Sequence, residues 1–354
     1  MRLRTFIHAL LLAIIGTLFI DSAHSSDTQV PNLYTYANDA QNGRHPFIEA
    51  IEKAQKSLKI ATYRLDDKII LDSILDAKKK GIDVQVILET ETYSHEKSAS
   101  SNESSLEALK NANIKIFNHP KWVKQTHHKI IIVDEKEVLL TTGNLDHESF
   151  DGDKTYTGTR DFTILITDPA MISEINRVFD NDTQEKKSQP SNINLLWGPN
   201  KQRKNLLKLI HQAKKSISIY QQDIQDKDIC NALIEKTKKD KVQVKIVMTP
   251  FPFSKTKDNN FKNQMKLKKA GAQVRFLENG VYVHAKVMII DGGTKTQRAY
   301  LGSCNFYPSS IDDNRELGVI LTGSKNIQKL ESIFKEDFKD AVPNHPLEKT
   351  SQNK

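Results

Sequence analysis

Cysteine is almost missing from this chain: Cys230 and Cys304 are the only two in 354 residues. Two thiols are too few to staple a small scaffold, and they do not have the spacing of a metal-binding motif. Whether they pair with each other is left open by the sequence. Long apolar runs are also scarce. Phe6–Ile20 is a single mostly apolar stretch of 15 residues, short of the roughly 20 that cross a bilayer as a helix. It follows a basic start, "MRLR", and precedes the small residues "AHS" at 23–25. That pattern reads as a secretory signal peptide over residues 1–25, with the mature chain starting near Ser26 in the periplasm or outside the cell. An uncleaved anchor is the alternative, and the lack of a cysteine after the stretch argues against a lipid-anchored start. Acidic residues are outnumbered, 44 against 52 Lys plus Arg, for a net charge of +8. The excess favours anionic partners such as phosphates, nucleic acid or a lipid surface, although a lysine-coated soluble protein would show the same balance.

The chain repeats itself. "AQKSLKI" (54–60) returns as "AKKSISI" (213–219), and "DVQVILE" (83–89) as "KVQVKIV" (241–247). "NIKIF" (113–117) returns as "QVRFL" (273–277), and "THHKIIIVD" (126–134) as "VHAKVMIID" (283–291). The offsets stay between 157 and 160 residues, so the two halves share an order of elements as well as a composition. Within each half, helical periodicity alternates with short β-branched runs, which indicates α/β layering. The halves join near the polar stretch 183–192, so the domains are expected at 26–187 and 188–342. The terminal stretch 343–354 reads as a disordered tail.

The most informative segment places two histidines and a lysine at the head of an apolar strand. Residues i and i+2 of a strand share a face, so His127 projects with Lys129 and His284 with Lys286. His128 faces the other way and has Ala285 as its counterpart. Asp134 and Asp291 have the opposite parity to the histidines and sit where each strand ends, so they are expected to brace the turn. Polar turns follow: "TTGNLD" (141–146) with Thr142 and Asn144, and "LGSCNF" (301–306) with Gly302, Ser303 and Asn305. Small residues there let backbone N–H groups approach an anion. Further on, "TRDFTILI" (159–166) matches "NRELGVIL" (314–321). Asp161 and Glu316 can each fix the tautomer of a nearby imidazole and raise its basicity. The spacing pairs Asp161 with His127 and Glu316 with His284.

His127-x-Lys129-x4-Asp134 and His284-x-Lys286-x4-Asp291 resemble the duplicated signature of the phospholipase D superfamily. Gly302, Ser303 and Asn305 resemble its glycine-serine-x-asparagine element, whereas the first half carries Thr141 and Thr142 in the corresponding places. The resemblance spans nearly all of residues 30–340. It implies two tandem homologous α/β/α sandwich domains of the phospholipase D fold sharing one active site at their interface, without a metal or other cofactor. It also implies roles. One histidine, expected to be His127, attacks phosphorus, and the other protonates the leaving oxygen. Lys129, Lys286, Asn144, Asn305, Ser303 and Thr142 hold the phosphate, and Asp161 and Glu316 serve the histidines.

Substrate is less legible. The leading expectation is an exported monomeric phosphodiesterase that hydrolyses phospholipid head-group esters. The alternatives are phosphatidyl transfer of the cardiolipin-synthase type, a secreted nuclease, and a non-catalytic phosphate- or membrane-binding relative. Intact motifs in both halves argue against the last. The stretch 249–260 carries Phe251 and Phe253 beside lysines; exposed, they suit peripheral contact with a membrane, and the alternative reading is a lid that packs on its own domain. Trp122 and Tyr307 are candidates for the mouth of the pocket, with plain packing as the alternative reading for each.

Overall fold

The computed structural model describes residues 32–36, 40–90, 92, 102–252, 254, 256–278 and 280–351. The stretch read as a signal peptide and Phe253 lie outside the described residues. Among those that are described, no helix is long and apolar enough to cross a membrane.

The first half runs β1 (Leu33–Thr35), α1 (Ala40–Lys53), β2 (Ser57–Thr62), α2 (Lys68–Lys79), β3 (Asp83–Leu88), α3 (Glu103–Asn111), β4 (Lys115–Phe117), β5 (Ile130–Val133), β6 (Glu137–Thr141), α4 (His147–Asp151), β7 (Thr159–Arg160), β8 (Phe162–Ile166) and α5 (Pro169–Thr183). The second runs β9 (Leu195–Trp197), α6 (Gln202–Gln212), β10 (Ser216–Tyr220), α7 (Lys227–Lys238), β11 (Gln243–Met248), α8 (Phe261–Ala270), β12 (Gln273–Phe276), β13 (Tyr282–Val283), β14 (Lys286–Ile290), β15 (Arg298–Gly302), α9 (Pro308–Asp312), β16 (Leu317–Leu321), α10 (Ser324–Asp340) and α11 (Pro346–Ser351).

Each half builds a mixed seven-stranded sheet, and the two have the same strand order. The first is β1-β8-β6-β5-β2-β3-β4; the second, read in the same sense, is β9-β16-β15-β14-β10-β11-β12. The fold is therefore two repeated α/β units. The histidine strands lie near the middle of each sheet and are buried on both faces, which explains their unbroken apolar runs. Ile130 and Ile132 pack into a core that takes residues from both halves, including Phe179 of α5 and Phe334 of α10. Ile131 and Val133 face a separate core under α1 and α2. Asp134 ends its strand at φ 51°, and its carboxylate accepts the N–H groups of Gln55, Lys56 and Ser57. Asp291, at the same φ, does the same for Lys214, Lys215 and Ser216.

Two expectations are corrected. Residues 343–351 are not a disordered tail. His345 is fully buried, with Nε2 3.0 Å from Asp258 Oδ2 and its ring among Phe251, Phe261 and Phe276. Lys268 pairs with Glu348. These partners lie more than 60 residues away in sequence, so composition alone could not reveal them. Phe251 is likewise no exposed apolar tip: it is half-buried, its ring 4.8 Å from that of His345. Cys230 and Cys304 are both free and buried.

Candidate active site

The chain approaching each histidine runs beside the chain approaching the other half's carboxylate. β13 pairs with β7 in parallel, with Val283 opposite Arg160, and Thr126 bridges Arg315 in the same sense. One step further along both chains brings His284 to Asp161 and His127 to Glu316. His127 Nδ1 lies 2.9 Å from Glu316 Oε1, and His284 Nδ1 lies 3.0 Å from Asp161 Oδ2. The pairing expected from sequence, Asp161 with His127 and Glu316 with His284, is thus reversed. Each imidazole is served by the opposite half because the parallel pairing across the seam sets the two residues side by side.

Both carboxylates are fully buried, and hydroxyls complete their shells. Asp161 accepts from Thr142 Oγ1 at 2.5 Å and Thr159 Oγ1 at 2.6 Å. Glu316 accepts from Ser303 Oγ and, at 2.6 Å, from Ser310 Oγ. Thr142 and Ser303, expected on the phosphate, are therefore turned to the carboxylates, since a buried carboxylate without donors is costly. Thr159 and Ser310 were not foreseen. Thr159 stands two residues before Asp161 in the matched segment, so a signal for it existed.

The carboxylates fix the tautomer. Each carboxylate accepts a hydrogen bond from Nδ1–H, which leaves Nε2 with its lone pair. Burial lowers the His127 imidazole to about 4; Glu316 opposes this, and Lys129 and Lys286 reinforce it. Burial lowers His284 as well, against the pull of Asp161. Burial raises the Glu316 carboxyl, but His127, Lys129 and Ser303 outweigh it and hold the group at about 2. The resting site therefore contains neutral imidazoles and ionised acids.

Lys129 and Lys286 are fully buried, and each Nζ donates to the backbone oxygen of its own histidine. Burial, then the like charge of Lys286, brings Lys129 to about 7. Burial brings Lys286 to about 8. Asn144 and Asn305 are buried with Oδ1 unpartnered. Gly302 closes β15 where a Cβ would lie 2.5 Å from Gly318 Cα. The Tyr63 ring stands edge-on to His127 at 5.3 Å, and that of Tyr282 lies 6.5 Å from His284; neither tyrosine was singled out from sequence. Trp122 stacks on Arg315, 4.3 Å from the guanidinium carbon, and Tyr307 is half-buried.

Chemically, the arrangement brings two imidazoles, each with Nδ1 on a carboxylate, and two buried lysines to one seam, with a buried asparagine in the polar turn of each half. That set suits an anion attacked on one side and released on the other. A family model described as "Cardiolipin synthase, PLD-like domain" matches residues 47–183 and again 206–338, once in each half. Over 143 residues the chain is 24% identical to cardiolipin synthase A of Pseudomonas entomophila, covering 40% of this chain and 28% of that protein. Over 108 residues it is 27% identical to a cardiolipin synthase of Staphylococcus aureus, covering 30% of this chain and 21% of that protein. The matched stretches thus span between a fifth and a third of these relatives' own length. The crystal structure of phosphatidylserine synthase from Haemophilus influenzae superposes with a TM-score of 0.68 over 89% of this chain and 88% of that one, at 13% identity. At that identity the likeness shows the fold alone. The family model covers well over half of the sequence, one copy on each histidine strand, and the chain belongs to the phospholipase D superfamily.

Proposed function

We propose that the protein is a phosphoryl-transferring enzyme that moves a phosphatidyl group from a phospholipid to an alcohol through a phosphohistidine. The observation that carries this reading is the crossed pair of buried imidazole–carboxylate contacts beside two buried lysines. With both imidazoles neutral and both lysines charged, as they are once an anion is bound, the charges of Lys129, Lys286, Asp161 and Glu316 cancel. A phosphodiester adds one negative charge, which is balanced by one proton taken up on an imidazole. That imidazolium is the general acid. His127 Nε2 attacks phosphorus as the bond to the head-group alcohol breaks, and His284 Nε2 gives its proton to the departing oxygen. His284, neutral again, takes the proton of the incoming alcohol as that oxygen displaces His127. Lys129 and Lys286 hold the nonbridging oxygens, where charge builds most in the transition state.

Transfer is preferred to the hydrolysis that the sequence put first because the curated relatives are named as cardiolipin synthases. The two reactions differ only in whether an alcohol or water takes the phosphatidyl group. Action outside the cytosol belongs to the same proposal, on the N-terminal stretch alone. Labelled phosphatidylglycerol in detergent micelles tests the reaction. Transfer predicts cardiolipin and free glycerol in equal amounts. Phosphatidic acid as the sole lipid product would assign water as the acceptor.

A further inference from the structure

Each site carboxylate directly follows a buried arginine, Arg160 before Asp161 and Arg315 before Glu316. Both arginines reach across the seam. Arg160 Nε and Nη2 donate to Asp337 of α10 at 2.7 and 2.8 Å. Arg315 Nη2 donates to Asp182 of α5 at 2.6 Å. Arg160 and Arg315 are 155 residues apart, as are Asp182 and Asp337, so the ion pairs are duplicated and crossed just as the histidine pairs are. The arginine backbones also touch the motifs: Arg315 O accepts from the N–H groups of His127 and His128, and Arg160 O from that of Ala285. A displaced arginine therefore moves a carboxylate and the opposite histidine strand together.

The two pairs are unequal. Asp337 accepts both donors of a bidentate guanidinium and a third from Tyr220 Oη at 2.5 Å. Asp182 accepts one, while its Oδ2 and Arg315 Nε are buried without partners. Arg315 is held instead by stacking on Trp122 and Trp197 and by a bond to Gly198 O. We infer that Asp182 and Asp337 are positioning residues for the shared site, and that the half-satisfied Arg315–Asp182 pair behind His127 and Glu316 makes activity sensitive to protons while the complete Arg160–Asp337 pair does not. The charged groups facing Asp182 are Arg315 and Glu185. Burial raises the Asp182 carboxyl to about 6, Arg315 opposing and Glu185 adding to the rise. Below that pH a neutral Asp182 leaves an unbalanced guanidinium one residue from Glu316, which weakens the hold of Glu316 on His127.

This inference rests on the proposed chemistry, and its test separates the two. The full chain is assayed across pH with bis(p-nitrophenyl) phosphate, a lipid-free diester. The wild type should lose kcat/KM on the acid side with an inflection near 6. Asp182→Asn should lose that inflection and have kcat lowered roughly 3- to 30-fold with KM nearly unchanged. Asp337→Asn should lower the melting temperature and keep the inflection. Glu185→Gln, an exposed change that leaves the core intact, should move the inflection to lower pH. An unchanged profile in Asp182→Asn, or an unmoved inflection in Glu185→Gln, overturns the inference. If no diester is turned over, the proposed activity fails and the ring-nitrogen NMR titration of His127 decides the inference. An Asp182→Asn titration curve shifted from the wild type supports it, and an identical curve overturns it.

Discussion

Lys129 and Lys286 are cations held without a carboxylate of their own. Each donates only to a backbone oxygen, and burial pulls the two down to about 7 and about 8. Near neutral pH the resting site thus carries less positive charge than its composition suggests. An anion between the ammonium groups reverses the imbalance and raises both lysines and one imidazole. Binding should therefore take up protons at pH 7.5, by up to about two per site, one shared between the lysines and one on the imidazole. Titration calorimetry with tungstate in buffers of different ionisation enthalpy measures the number directly. Because Lys129 and Lys286 are lowered in the empty site, uptake should fall toward pH 6, where both are already charged; proton release at pH 7.5 would contradict this charge balance. The parity of a strand made His127 and Lys129 legible as a pair. Thr142 and Ser303 were legible as site residues, but their carboxylate partners were not, since sequence gives no direction for a serine or threonine side chain.

At the scale of elements, the repeat revealed most of the strands and helices, because "THHKIIIVD" and "VHAKVMIID" are the same buried strand in two sheets. It did not reveal which carboxylate serves which histidine. That choice depends on β7 pairing with β13, two strands of two residues each joined across the seam, and strands so short carry no periodicity. The C-terminal segment was misread because its order depends on His345 meeting Asp258. The contact between β15 and β16 was legible only in part. Gly302 stood out in its motif, but its partner Gly318 did not, and a Cβ on Gly318 would lie 2.1 Å from Tyr300 Cε2. Gly318→Ala must push the buried Tyr300 ring or open the sheet at the site, and should destabilise by about 1–3 kcal/mol. Gly323→Ala is the control, since nothing lies within 4 Å of a Cβ there. Chemical denaturation of both variants checks this: equal losses would mean that the close approach is relieved at no cost.

For the whole molecule, the two halves exchange functional groups. Each half supplies one histidine, one lysine and the carboxylate for the other half's histidine, and α5 and α10 supply an aspartate to the opposite half's arginine. A half on its own has an imidazole without its carboxylate, so the duplication is useful only when both copies meet. The central claim is this crossing, and trapping the intermediate tests it most directly. In His284→Asn, a short-chain phosphatidyl substrate with a good leaving group should leave an adduct on His127, located by mass spectrometry after an acid-free quench. Within that background Glu316→Gln should slow adduct formation by roughly 10- to 100-fold, while Asp161→Asn, whose histidine is already gone, should leave the rate nearly unchanged. Slow adduct formation with Asp161→Asn and an unaffected rate with Glu316→Gln would contradict the crossed site.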